Sequence, residues 1–91
     1  MDYETMLDML KIDLGISTTN KYDDRLKQYL QTAVKEIKRE GATLSFSDSV
    51  EDANLVIMYA QWLWRKRDTG EGMPRMIRWE INNRLFGGDN G

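Results

Sequence analysis

The chain has no cysteine and no histidine, one proline and only two phenylalanines among its 91 residues. Without Cys or His there can be no disulfide, no Ser-His or Cys-His catalytic pair and none of the usual zinc or copper sites. Any chemistry would rest on carboxylates, lysines, tyrosines or hydroxyls, so the expectation is a protein that is not an enzyme and carries no metal or cofactor. There is no basic-then-apolar leader, and the longest nearly apolar run, Leu55 to Trp64, is interrupted by Gln61. That run is half the ~20 residues a bilayer span requires, so a soluble, unexported chain is expected. The missing cysteines fit a reducing compartment.

Acids and bases nearly balance, 15 against 13, and 41% of the residues are hydrophobic. This is the composition of one small globular domain, expected over residues 1–86 with a flexible tail at 87–91. A domain of this size buries only about 60–65% of the surface of its unfolded chain, which makes association with a partner an expectation.

The apolar spacing is helical throughout and predicts an all-α bundle of four helices, about 3–14, 21–40, 50–67 and 74–86. Tyr3, Leu7, Leu10 and Leu14, widened by Met6, share one face, and Leu14-Gly15-Ile16 has the pattern of a glycine-capped helix end. Leu26, Tyr29, Leu30, Ala33, Val34 and Ile37 form the second stripe, with Asp23 and Asp24 in the first turn and Gly41 closing the last. Residues 42–49 read as a loop or short extended arm. Ser49 and Asp52 form a capping-box pattern that opens the third helix. Between Ala53 and Trp64 its only polar side chains are Asn54 and Gln61, on one narrow stripe, so this helix must be surrounded and is expected at the centre. Residues 68–72 read as a flexible turn, and Pro74 as the first residue of a fourth helix whose inner stripe is Ile77, Ile81 and Leu85, with Met76, Trp79 and Phe86 on its flank.

Several features suggest chemistry and fail on context. Asp68-Thr69-Gly70 matches an aspartic-protease triplet but follows the charged end of a helix, with no apolar sheet around it. The glycines lack the Lys-Ser/Thr of a phosphate loop. The adjacent acids Asp23/Asp24 and Glu51/Asp52 point about 100° apart on a helix and cannot converge on one atom. Trp62-Leu63-Trp64-Arg65-Lys66-Arg67 is open to three readings: core plus helix cap, a protein interface, or stacking and phosphate contact with nucleic acid. The two tryptophans lie about 200° apart, so at most one joins the core stripe.

Charge is polarised along the chain. Residues 1–24 hold six acids and two bases, and residues 65–86 hold six bases and three acids. If these ends occupy different flanks, copies could meet head to tail and close into a ring. Phe46, Trp62, Arg65, Arg67, Arg75 and Arg78 are the candidate interface residues, with loops 41–49 and 68–74 beside them.

The succession Leu7-x-x-Leu10-Lys11, Leu14-Gly15-Ile16, Asp23-Asp24-Arg25-Leu26 and Leu30, Ala33, Ile37 resembles the first half of the small head-tail connector proteins of long-tailed bacteriophages and prophages. Tyr59, Trp62 and Arg65, a Gly-containing turn, and Met73-Pro74 followed by Ile77, Ile81 and Leu85 are similar to the second half. The resemblance spans about residues 5–86 and contains no catalytic signature. It implies a structural protein of the virion neck, made in the host cytoplasm, that assembles as a homo-oligomeric ring on the portal protein and joins the DNA-filled head to a downstream neck or tail protein. The free chain could be monomeric, and packaged DNA would pass through the ring without sequence-specific binding; a net charge of −2 suits a lumen in which DNA slides. The glycine-rich turn and the paired tryptophans depart from the family pattern. Two other readings stand beside it. One is a small helical DNA-binding regulator using the basic 65–84 region, and the other a small inhibitor or antitoxin-like partner of an enzyme.

Overall fold

In the computed structural model, residues 1–45 and 48–86 are described, and they form four α-helices with no strand among them: α1 (Tyr3–Leu14), α2 (Asp23–Arg39), α3 (Val50–Thr69) and α4 (Arg75–Phe86). The all-α expectation holds. The candidate tail at 87–91 and Phe46 lie outside the described residues, as does the Phe86 side chain.

α3 is the pillar. α1, α2 and α4 each pack on it, and α1 also packs on α2. Ala53, Leu55, Val56, Ile57, Tyr59, Ala60 and Trp62 are all buried, in directions that together circle most of the helix, while Asn54 remains exposed. Facing them are Met6, Leu7 and Leu10 of α1, Leu26, Leu30, Ala33, Val34 and Ile37 of α2, and Ile77 and Ile81 of α4. Each fully buried Leu or Ile contributes about 1.5–3 kcal/mol, so this interlock is the main source of stability. Ala42 and Leu44 are also buried. The 42–45 segment is thus laid on the core rather than projecting as an arm.

The helix ends follow the local chemistry. Gly15 adopts φ +75°, its N–H bonds the Ile12 carbonyl and the Ile16 N–H bonds the Lys11 carbonyl, a Schellman end with Ile16 folded against the core. Ser49 Oγ accepts from the Asp52 N–H at 3.2 Å. The reciprocal arm of the capping box is absent because the Asp52 carboxylate serves two other groups: Oδ2 accepts from the Ser45 N–H at 2.8 Å and Oδ1 from Arg84.

Four boundaries differ from expectation, the slightest being the end of α2 at Arg39, with Glu40 as its cap. α2 begins at Asp23 because Lys21 and Tyr22 belong to the preceding turn, in which the Asp23 N–H bonds the Asn20 carbonyl. α3 runs to Thr69, whose hydroxyl donates back to the Arg65 carbonyl, and Gly70 at φ +67° ends it, so Asp68 and Thr69 are helical rather than part of a flexible turn. Pro74 stands just ahead of α4, its carbonyl accepting the Arg78 N–H.

Two largely buried ion pairs help to fix the helices relative to one another. Lys11, only 6% exposed, extends from α1 to Asp23 Oδ1 at 2.9 Å and Asn20 Oδ1 at 3.1 Å, tying the α1–α2 turn to the start of α2. Arg84 near the end of α4 reaches Asp52 Oδ1 with Nε at 2.9 Å and Nη2 at 2.8 Å, and Nη1 bonds Glu80 Oε1 at 2.9 Å. Both Arg84 and Asp52 side chains are largely covered. Removing one partner leaves the other desolvated, so Arg84→Met is expected to lower the unfolding free energy by about 3 kcal/mol in urea titration. A change within about 0.5 kcal/mol, the range of ordinary surface substitutions, would show that the network does not hold α4 in place.

Candidate assembly surface

The aromatic and basic end of α3 is folded onto itself. Trp62 faces the core, meets Tyr59 edge to face at 5.3 Å, and donates its indole N–H to the Glu71 carbonyl at 3.1 Å. Trp64 points to the other side and meets Tyr22 edge to face at 5.2 Å, which fastens the end of the α1–α2 turn to α3. One tryptophan is therefore buried in the core, and the other, on a different side of α3, packs half-buried at its edge. Their faces are covered by the chain's own cations: Arg67 stacks 3.9 Å from the Trp64 ring centre and Lys66 Nζ lies 4.5 Å from that of Trp62. Arg67 Nε also donates to the Trp64 carbonyl, and Arg65 Nε sits 3.7 Å from Glu71.

The cations of α4 divide sharply. Arg78 forms a two-pronged bond to Glu40 at 2.6 and 3.2 Å, joining α4 to the residue that caps α2, and that bond raises its pKa above the usual guanidinium value. Burial works against the charge of Arg84, yet its bonds to Glu80 and Asp52 outweigh burial and raise its pKa as well. Tyr59, buried beneath these pairs, keeps its proton to higher pH, chiefly through desolvation and then through Glu36 and Glu40. Arg75, in contrast, has no acid partner among the described residues and is exposed.

Among the described residues, Arg75, Met76 and Trp79 line a shallow, open apolar groove of about 350 Å³ on α4. Both of these side chains are 59% exposed. A tryptophan and a methionine left open beside an unpaired arginine have the composition of a protein interface. A second groove, lined by Glu51, Asn54, Leu55, Met58 and Glu80, is smaller at about 220 Å³ and lies between α3 and α4. No group of three or more potential metal ligands occurs among the described residues.

The residues proposed from sequence do not converge on one surface. Trp62 is a core residue. Arg65 and Arg67 belong to the α3 collar, and Arg78 is an internal tie. Only Arg75 lies on the open groove, and Phe46 lies outside the described residues. Met76 and Trp79, placed by sequence merely on the flank of α4, are the main exposed apolar residues of that helix. The signal was present: they stand three apart, on a stripe distinct from Ile77, Ile81 and Leu85, so α4 carries more apolar surface than one packing face can use.

The two outlying tryptophans should separate in a stability assay. Trp62→Ala removes a buried ring and is expected to cost about 3–5 kcal/mol, whereas Trp79→Ser is expected to change stability by no more than about 0.5 kcal/mol. Comparable losses for both would mean that the α4 groove is part of the folded core. No family model, curated protein or solved structure matches this chain.

Proposed function

We propose that the chain is a structural adaptor of a tailed phage or prophage particle, a ring subunit that seats on the portal and joins the DNA-filled head to the next neck or tail component. The reading begins from the ordered resemblance over residues 5–86. The observation that carries it is the open Arg75–Met76–Trp79 groove on a rigid bundle whose other cations in this region are already engaged within the chain. An assembly subunit needs an apolar docking face with a charge to set register, and it needs no reactive centre.

The DNA-binding regulator is the weaker reading. It requires the cations of residues 65–84 to meet phosphates, but Arg65, Arg67, Arg78 and Arg84 are each paired with a carboxylate and Lys66 lies on Trp62. Engaging DNA would break those contacts, and the net charge of −2 supplies no compensating attraction. The same near-neutral charge suits a ring through which DNA passes without being held.

Electron microscopy of particles made after deletion of the gene tests the proposal. Filled or leaking heads beside separate, complete tails are expected. Normal tailed virions would overturn it, and tight duplex binding with a steep salt dependence would move the regulator to the front.

A further inference from the structure

We infer that the α4 groove formed by Arg75, Met76 and Trp79 receives the Asp8–Ile12 edge of α1 from a second copy of this chain. Four large apolar side chains stand well exposed among the described residues: Ile12, Val50, Met76 and Trp79. Met76 and Trp79 form a shallow, open apolar face with Arg75. Ile12 projects from α1 and is 66% exposed. Val50 is the first residue of α3, and the residue one turn after it, Asn54, carries no charge.

Charge selects Ile12 as the occupant. Glu4 is paired with Lys27, Asp13 accepts from Gln61, Asp23 is held by Lys11, and Asp2 caps α1 through the Thr5 N–H. Asp8, one turn before Ile12 on the same exposed face, has no partner among the described residues. Arg75 is in the matching position on α4, one turn before Trp79. Asp8–Ile12 and Arg75–Trp79 each span four residues, about 6 Å of helix, so two helices lying side by side in the same direction bring acid to arginine and Ile12 to the groove together. Pairing each patch with its own kind about a two-fold axis would lay the helices antiparallel, setting Arg75 against Trp79 or Asp8 against Ile12, and would leave each charge without a partner of opposite sign.

The contact is therefore heterologous, and a pair so joined keeps one unused patch of each type, a groove on one copy and an α1 edge on the other. Repetition closes a ring when the rotation permits and otherwise extends a filament. The contact itself requires only self-association; its place as the closure of a neck ring rests on the proposed function. The interface is small, and its single exposed charge pair contributes under about 1 kcal/mol, so the free chain at low concentration is expected to be monomeric.

The absence of cysteine from the native chain makes disulfide trapping clean. Ile12→Cys and Met76→Cys leave Asp8, Arg75 and Trp79 in place and substitute one exposed apolar residue for another of smaller size. Mixing the two variants at high concentration under mild oxidation is expected to yield the 12–76 heterodimer well above either homodimer, and above a control pairing Ile12→Cys with Lys35→Cys on the exposed face of α2. Adding Asp8→Arg to the first variant should lower the yield about threefold to tenfold, and adding Arg75→Asp to the second should restore it. Circular dichroism checks that each variant is folded. Homodimers in excess, a yield equal to the control, or indifference to the charge exchange would overturn the inference, including the case in which the groove serves a segment of a different protein. The two proposals fail separately. A specific 12–76 link with normal virions after gene deletion would retain the contact and remove the neck role; arrested heads without the link would do the reverse.

Discussion

The structure depends on the need to enclose a helix that is apolar on nearly every side. Between Ala53 and Trp62, α3 presents buried side chains in so many directions that one neighbour cannot cover them, and α1, α2 and α4 are arranged around it accordingly. In a chain of 91 residues, covering this helix engages buried side chains from all three of the other helices. The ion pairs follow from the same requirement. Lys11–Asp23, Arg78–Glu40 and Arg84–Asp52 occur where one helix end must be held against another so that the pillar stays covered.

That arrangement also explains why the basic segment is a poor guide to function. The surplus of positive charge between residues 65 and 86 is a property of the linear chain; in the fold, Glu40 and Asp52 come from outside the segment to meet Arg78 and Arg84. Stacking of Arg67 and Lys66 on the tryptophans uses the aromatic faces that a nucleic acid would need. Among the described residues, Arg75, Met76 and Trp79 stand open together on α4, and Asp8 and Ile12 stand open together on α1. Function is most economically sought where an exposed apolar residue and an unpaired charge lie one helical turn apart.

Much of the fold was legible in the sequence because periodicity and caps act locally. The stripes of α1 and α2, the glycine end at Gly15, the Ser49 cap and the central place of α3 each depend on residues within a few positions of one another. The misplaced features depend on distant ones. Nothing near Lys11 shows that it will be buried against Asp23, and nothing near Asp52 shows that its carboxylate will turn to Ser45 and Arg84 rather than back to its own cap. The candidate surface suffered most from this limit. Arg78 and Trp62 have the composition of interface residues but are consumed by Glu40 and the core, while Trp79 was identifiable only by asking which apolar residues of α4 a single contact with α3 leaves over.

Amide hydrogen exchange of the free chain is the most direct test of the claim that enclosure of α3 governs the molecule. The amides of residues 53–62 should exchange only through global unfolding, and those of α4, which covers α3 from one side, should open at a lower free energy. Exchange from the middle of α3 as fast as from α4 would contradict the account, since a helix that opens independently cannot be the element on which the other three depend.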